Sequence, residues 1–329
     1  MPSAPSRWRD CHGRPVSGAS GSAPTPAAPG HVWVDGRILP ADEPHLSVFD
    51  RGFQLGDGVF ETLRVRGAHP TELSEHIARL RRSAVGLAIP LPADIEARLA
   101  AGIADLLAAE GLDGPAGDAS VRITVSRGPF RGRGLLPPDE VVQATMAIQA
   151  WPVVAPPADH LERGLHLVAS SVRRDPTNPI VSFKTTSRAD YVYARLEARR
   201  AGADDALFLT IDGLLSEGTT ANIFLVRPSP SGSGTELATP SLDCAILPGT
   251  TRSWLLAWGA RVGLRPCEDR LSPADLAGAA EAFLSSSVAG VLPVTRFDGR
   301  PIGDGLPGPW TRRARADREA MILAGEEST

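Results

Sequence analysis

Lysine is almost absent from this sequence. Of 34 basic residues only Lys184 is a lysine and the other 33 are arginines, and tyrosine occurs twice in 329 residues. Abundant Ala, Gly and Pro beside the arginines fit a G+C-rich coding bias, which is the plain reason for scarce lysine. Cysteine is scarce too. Cys11, Cys244 and Cys267 are scattered, with no C-x-x-C pair and no metal-ligand spacing. This argues against a disulfide framework and a metal site, and the expectation is a reducing, cytoplasmic setting. No apolar run reaches the ~18 residues that a membrane-crossing helix needs. Net charge is −4, so no basic field is available to attract nucleic acid or an anionic membrane.

The residues that are present describe an ordinary soluble protein, 42% hydrophobic and 22% charged, long enough for two domains or one large one. The first thirty residues are rich in Pro, Ser, Gly and Ala and lack the apolar core of a secretory signal. Residues 1–30 are expected to be a disordered extension, or the product of a start codon set too far upstream. Order begins at HVWVDGRIL, a hairpin turned at Asp35-Gly36. A glycine-punctuated, strand-like stretch follows. The next segment places Ile77, Leu80, Ala84 and Leu87 on a helical stripe, with Arg79 off it. A second helix is predicted over 93–110 with Gly111 as its stop. ASVRITVSRG alternates as a strand with Val121, Ile123 and Val125 on one side, and VVQATMAIQ is its predicted neighbour.

The proline-flanked stretch around 150–160 is the best boundary. It divides a smaller lobe, 31–150, from a larger one, 158–329, with 151–157 as linker. Beyond it the sequence predicts a strand at 165–172 and a loop. A helix capped by Ser187, with Asp190 in the capping-box position, then runs to Arg200. A hairpin turned at Asp212-Gly213 follows, then a loop entering a helix at LPGTTR. SPADLAGA reads as a short helix with Ser at its N-cap and Pro at N1. Strands and a charged helix from Trp310 close the chain. The fold class is α+β in two lobes, without internal repeats.

Why keep one lysine? Its amine can lose a proton when desolvated, whereas a guanidinium in practice cannot. A neutral amine can form a Schiff base with a carbonyl or with pyridoxal phosphate. Lys184 follows the apolar IVSF, where a strand end would set it against a cleft. Glu217 lies in SEGTT between two apolar strands, where a carboxylate could pair with a pyridinium nitrogen. Gly249, Thr250 and Thr251 stand at a helix start, the makings of a phosphate cup. Ser285 to Ser287 offer a further hydroxyl-rich turn. Each of these also fits a structural role: a turn carboxylate, a helix cap, a solvated arginine at Arg79.

Their order is more specific. DRGFQLGDGVFETLRV, EHIARL, SRGPFRGRG, FKTTSRADY, LLSEGTTANIFLV, LPGTTR and FLSSSVAGVLPV together resemble the class IV, fold-type IV pyridoxal-phosphate enzymes. That group includes D-amino-acid transaminases, branched-chain aminotransferases and aminodeoxychorismate lyases. The likeness covers about residues 31 to 320. It implies a small N-terminal sandwich lobe, a larger barrel-like lobe with helices, and a homodimer. It implies that Lys184 carries pyridoxal phosphate as a Schiff base and that Glu217 meets the pyridine nitrogen. Arg79, Thr250, Thr251 and Ser287 would hold the phosphate, while Asn222 and Thr220 line the cofactor's flank.

By that resemblance the chain would move an amino group from an amino acid or amine to a 2-oxo acid in ping-pong fashion. GDGVFET looks more like the D-amino-acid and lyase branches than the branched-chain one. The expected substrate contacts are Phe60 and either Arg131 or Arg133 of the SRGPFRGRG loop, although that loop lacks the histidine usual in D-amino-acid transaminases. Aminodeoxychorismate lyase, releasing pyruvate and 4-aminobenzoate, is the alternative reaction. Thr186-Ser187 after the lysine departs from that lyase's usual Leu-Asn. A non-catalytic protein on the same fold is the remaining alternative, though it would have no use for both Lys184 and Glu217.

Overall fold

A computed structural model describes residues 28–136, 143–229, 232 and 234–325. Cys11 and most of the expected N-terminal extension lie outside them. The first hairpin forms as predicted. His31–Val34 (β1) and Arg37–Pro40 (β2) turn at Asp35 and Gly36, whose φ angles of 48° and 90° are those a two-residue hairpin requires. The glycine-punctuated stretch is not all strand. Arg51–Leu55 (α1) is one helical turn, started by the Gly52 N–H donating to the Asp50 carboxylate and ended at Gly56 with φ 66°.

Gly58–Arg66 (β3), His69–Pro70 (β4), Leu73–Gly86 (α2), Ile95–Ala109 (α3), Asp118–Ser126 (β5) and Thr145–Pro152 (β6) complete the first half. β6 thus runs into the stretch read as a linker. The sheet order is β2-β1-β6-β5-β3-β4, antiparallel throughout. α2 and α3 cover one face, packing Ile77, Leu80, Leu99 and Ile103 on Leu63, Val65, Val121 and Ile123. Strand alternation turns Phe60 and Thr62 of β3, with Ser120 and Arg122 of β5, to the other face. That face borders the functional cavity.

The second half contains Ala158–Arg163 (α4), Leu165–Arg174 (β7), Ala189–Arg200 (α5), Asp205–Thr210 (β8), Leu215–Gly218 (β9), Asn222–Pro228 (β10) and Thr235–Pro240 (β11). Thr250–Arg261 (α6), Arg265–Asp269 (β12), Pro273–Ala277 (α7), Glu281–Ser286 (β13), Gly290–Phe297 (β14), Arg300–Pro301 (β15) and Pro309–Ala324 (α8) follow. Its nine strands run β12-β11-β10-β13-β14-β7-β8-β9, with β15 on β14. The sheet curls, bringing β9 back to β10 through a tight turn in which the Gly218 N–H donates to the Ala221 carbonyl. α7 forms as predicted, with Ser272 and Asp275 in a reciprocal capping box. No helix among the described residues is long and apolar enough to cross a membrane.

Two local expectations fail near the lysine. Residues Pro179–Ser182 form a 3₁₀ turn with Ile180 half exposed, so no buried strand leads into Lys184. Ser187 does not cap α5 either: its hydroxyl donates to the Gly56 carbonyl, and the cap position belongs to Arg188 without a side-chain bond. The 3₁₀ turn is started locally, by the Asn178 carboxamide accepting from the Ile180 N–H at 3.1 Å with Pro179 at N1, whereas Ser187 is drawn off by the other half of the molecule.

Candidate active site

The lysine is placed by a strap laid along β3. The Phe60 N–H donates to the Lys184 carbonyl and the Thr186 N–H to the Gly58 carbonyl, both at 2.9 Å. The Lys184 N–H donates to Ser83 Oγ of α2 at 3.1 Å. One residue earlier, the Phe183 ring occupies the place a Cβ at Gly86 would take, so only glycine lets α2 approach the strap. Lys184 is half-buried, with Nζ 4.8 Å from the Phe60 ring centroid. Burial of the amine, reinforced by Arg79 and Arg188, lowers its pKa from the usual 10.5 to about 8, more than Glu61 and Glu217 restore.

Glu217 is not in a turn but in β9, and it is buried. Its Oε2 accepts from the Leu247 N–H at 2.9 Å and from Asn222 Nδ2 at 3.4 Å, and its Oε1 accepts from the Tyr191 hydroxyl at 3.4 Å. Arg174 stands 3.7 Å from the same carboxylate, stacked between the rings of Tyr191 and Phe208 at 4.2 and 4.3 Å. Burial raises the pKa of Glu217, while Arg174 and the Leu247 N–H pull it down. Tyr191 is pushed up to about 12 by burial and by the neighbouring Glu217.

The third cluster gathers at the start of α6. Gly249 is the N-cap and makes no side-chain cap bond; a Cβ there would collide with the Asn222 carboxamide. Thr250 and Thr251 are buried, and Thr250 Oγ1 lies 3.3 Å from Ser287 Oγ. Ser285 Oγ is buried with no hydrogen-bond partner among the described residues. Arg79 is not a surface arginine. Its Nε and Nη2 donate to the two oxygens of Glu61 at 2.8 and 2.6 Å, and Nη1 donates to the Pro248 carbonyl at 2.9 Å. Burial would raise the Glu61 pKa, but Arg79 and His76 outweigh it and hold the carboxyl at about 2.

All three clusters line one cavity of about 420 Å³. It brings together Lys184, Glu217, Arg79, Thr220, Asn222, Thr250, Thr251, Ser287 and Phe60. Arg131 and Arg133 are exposed and do not line it, and Arg131 lies 5.6 Å from the Phe49 ring instead. The guanidiniums facing Phe60 are Arg122 and Arg188, at 3.9 and 5.7 Å from its centroid. Neither pairs with a carboxylate among the described residues, and Arg188 donates to the Thr219 carbonyl at 2.9 Å. Sequence reasoning missed both, along with Tyr191, Arg174 and the Glu61–His76 pair. A signal existed for Arg122: the same alternation that buries Val121 and Ile123 sends it to the opposite face.

The fold and site define a two-lobed α+β protein that presents an amine, a buried carboxylate and a hydroxyl-bearing helix start in one cavity. The family model of the class IV amino-transferases matches residues 58–297. A D-alanine aminotransferase of Bacillus licheniformis is 30% identical over 301 residues, spanning 91% of this chain and 99% of that protein. Among solved structures, the branched-chain aminotransferase of Escherichia coli superposes with a TM-score of 0.82 at 27% identity, covering 92% of this chain and 97% of that one. A T.th. branched-chain aminotransferase solved with pyridoxamine 5'-phosphate gives 0.81 at 27% identity, over 92% and 96%. The 4-amino-4-deoxychorismate lyase of Pseudomonas aeruginosa gives 0.72 at 32% identity, over 87% and 97%. The chain belongs to the class IV aminotransferases.

Proposed function

We propose that this transaminase binds pyridoxal phosphate in the cavity and exchanges amino groups between a small amino acid or amine and a 2-oxo acid. The observation that carries the reading is chemical complementarity within one cavity. A lysine with a lowered pKa, a buried carboxylate and the orphan hydroxyl of Ser285 beside an uncapped helix start are the three groups an aldehyde, a ring nitrogen and a phosphate would need. The residues present therefore fit the group. When bound, it supplies an electron sink for the pair released when a bond to the substrate α carbon breaks.

The chain's own residues do the rest. Neutral Lys184 Nζ can bond to a carbonyl carbon and can take up and return a proton at the substrate α carbon. Glu217, its proton affinity raised by burial, faces the ring nitrogen as a hydrogen-bond partner. Thr250, Thr251, Ser285 and Ser287 offer hydroxyls at the positive end of α6, and Arg79 borders them with its charge partly offset by Glu61. Arg122 and Arg188 remain to hold the substrate carboxylate over Phe60. β6 keeps residues up to Pro152 in the first lobe, so the join to the second lobe falls at 153–157. The exposed apolar side chains Leu46, Val48, Phe49, Phe53 and Leu55 support a pair of such chains as the working unit.

The test is a visible spectrum and a half-reaction. The protein with added cofactor is expected to be yellow and to lose that band as an amino donor converts the cofactor to its amine form. A colourless protein would sink the cofactor reading. Inert amino donors together with pyruvate release from aminodeoxychorismate would select the lyase, to which the Pseudomonas structure is the likeness. Because the lysine pKa is lowered to about 8, cofactor capture should quicken as pH rises toward that value and level off above it. A flat stopped-flow profile across it contradicts the assignment of Nζ. Arg122→Leu should raise KM for carboxylate donors about 10- to 100-fold, the worth of a charge-assisted hydrogen bond; an unchanged KM would remove Arg122 from the substrate site.

A further inference from the structure

Behind the anion cup lies a buried histidine that the reaction does not use directly. His76, on α2, is 0% exposed. Its Nδ1 lies 2.8 Å from Glu61 Oε2, and its Nε2 lies 3.4 Å from Thr250 Oγ1, which in turn is 3.3 Å from Ser287 Oγ. The chain Glu61–His76–Thr250–Ser287 therefore runs from β3 to the cavity wall. Its other charged neighbours are Arg79, whose Nη2 is 3.4 Å from Nδ1, and Lys184, which shares the field of Glu61. The ion pair of Arg318 on α8 with Glu72, at the N-cap of α2, stands one helical turn before His76.

Proton counting constrains this chain. An ionised carboxylate only accepts, so Nδ1 of His76 must carry a hydrogen toward Glu61. Nε2 then has two states. If bare, it accepts the hydroxyl proton of Thr250, and that proton is not available to the cavity. If protonated, it donates to Thr250 Oγ1 and frees the hydroxyl to donate elsewhere. An anion brings acceptors only, so it favours the second state: with Nε2 bare, a hydroxyl turned to the anion leaves the buried Nε2 without a donor. Its negative charge also offsets the added proton beside Arg79.

We propose that His76 is a positioning residue. It sets the direction of the Thr250 hydroxyl and takes up one proton at Nε2 when an anion enters the cup. Linkage makes the effect reciprocal: anion affinity falls as pH rises and Nε2 loses its proton. The inference rests on the reading that an anion's oxygens occupy the cup, but not on the visible chemistry of the cofactor.

The test uses the full chain labelled with ¹⁵N-histidine and freed of cofactor. The nitrogen signals are followed by NMR over about pH 6 to 9, the range where imidazole charge is sensitive to its surroundings, with and without sulfate, which does not itself titrate there. Loss of a signal in His76→Gln assigns it among the seven histidines. Sulfate is expected to move the Nε2 deprotonation midpoint up by about one pH unit or more; the same midpoint with and without sulfate overturns the proposal. Two variants separate relay from scaffold. His76→Gln sets an amide donor near Nε2 and should keep sulfate affinity while losing its pH dependence. His76→Asn cannot reach Thr250 and should bind sulfate about tenfold more weakly, the worth of about one net hydrogen bond. If neither variant folds, single replacements of the six other histidines assign the His76 signal by elimination, and the wild-type titration decides. A missing visible band and a missing sulfate-linked nitrogen shift are separate results, so either reading can fail without the other.

Discussion

Replacing Lys184 with arginine is expected to lower the transamination rate by on the order of 10⁴-fold, comparable to losing a general base or nucleophile, and to leave the fold intact. The substitution keeps the positive charge and most of the stem. It removes one property, the ability to become neutral, because a guanidinium holds its proton throughout the accessible pH range. The structure lowers the lysine pKa to about 8 by burying the amine next to Arg79 and Arg188, so the site is built to take that proton away. The backbone of residue 184 is held independently of its side chain, by Phe60 and Ser83. Thermal unfolding of Lys184→Arg should therefore stay near wild type, while single-turnover conversion of the cofactor and the visible band are lost. Retention of about a hundredth of the wild-type rate or more would mean that another group does the proton transfer.

Glu72→Gln is expected to destabilise the protein by about 3–5 kcal/mol, the usual cost of removing one partner from a buried ion pair. Arg318 is 0% exposed, and its Nη1 and Nη2 donate to the two Glu72 oxygens at 2.7 and 3.0 Å. Among the described residues its remaining contacts are the Thr251 hydroxyl at 3.4 Å and the Trp254 ring at 5.2 Å, neither of which carries a counter-charge. The pair joins α2 of the first half to α8 of the second and abuts the first turn of α6. Loss of Glu72 should therefore weaken cofactor retention as well as lower the urea midpoint. Adding Arg318→Met should recover part of the stability, since it removes the buried guanidinium that Glu72→Gln leaves without its carboxylate. If the double variant is no more stable than the single one, the cost lies in packing and not in charge.

How much of this was legible beforehand depended on whether a residue's role was local. The Asp35-Gly36 and Asp212-Gly213 turns, the Ser272 cap and the alternation of β5 were readable because each depends on residues a few positions apart. The Ser187 cap failed for the converse reason: Gly56, from more than a hundred residues earlier, took its hydroxyl. The apolar IVSF looked like a buried strand by composition, yet Asn178 and Pro179 start a 3₁₀ turn over Pro179–Ser182, and only residues 184–186 lie along β3. Arg79 looked solvated because it lay off the apolar stripe. Glu61, on a neighbouring strand, makes that position a buried ion pair.

The candidate site divides the same way. Lys184, Glu217, Thr250 and Thr251 were marked by residue type and order, because each function needs one kind of chemistry: a deprotonatable amine, a carboxylate, a helix start with hydroxyls. On the substrate side the sequence marked Phe60, which lines the cavity, and Arg131 or Arg133, which do not. Any of 33 arginines could satisfy a carboxylate; the alternation of β5 set Arg122 on the face away from Val121 and Ile123, but only the register Thr62↔Arg122 and the packing of the second half made that face the cavity wall. The sequence by itself determined which chemistry this protein can carry out, since a proton can leave only a group that has one to give. The tertiary structure decided where and how readily. Desolvation, opposing charge and the aim of a side chain are properties of distant residues brought within a few ångströms, and no local pattern encodes them.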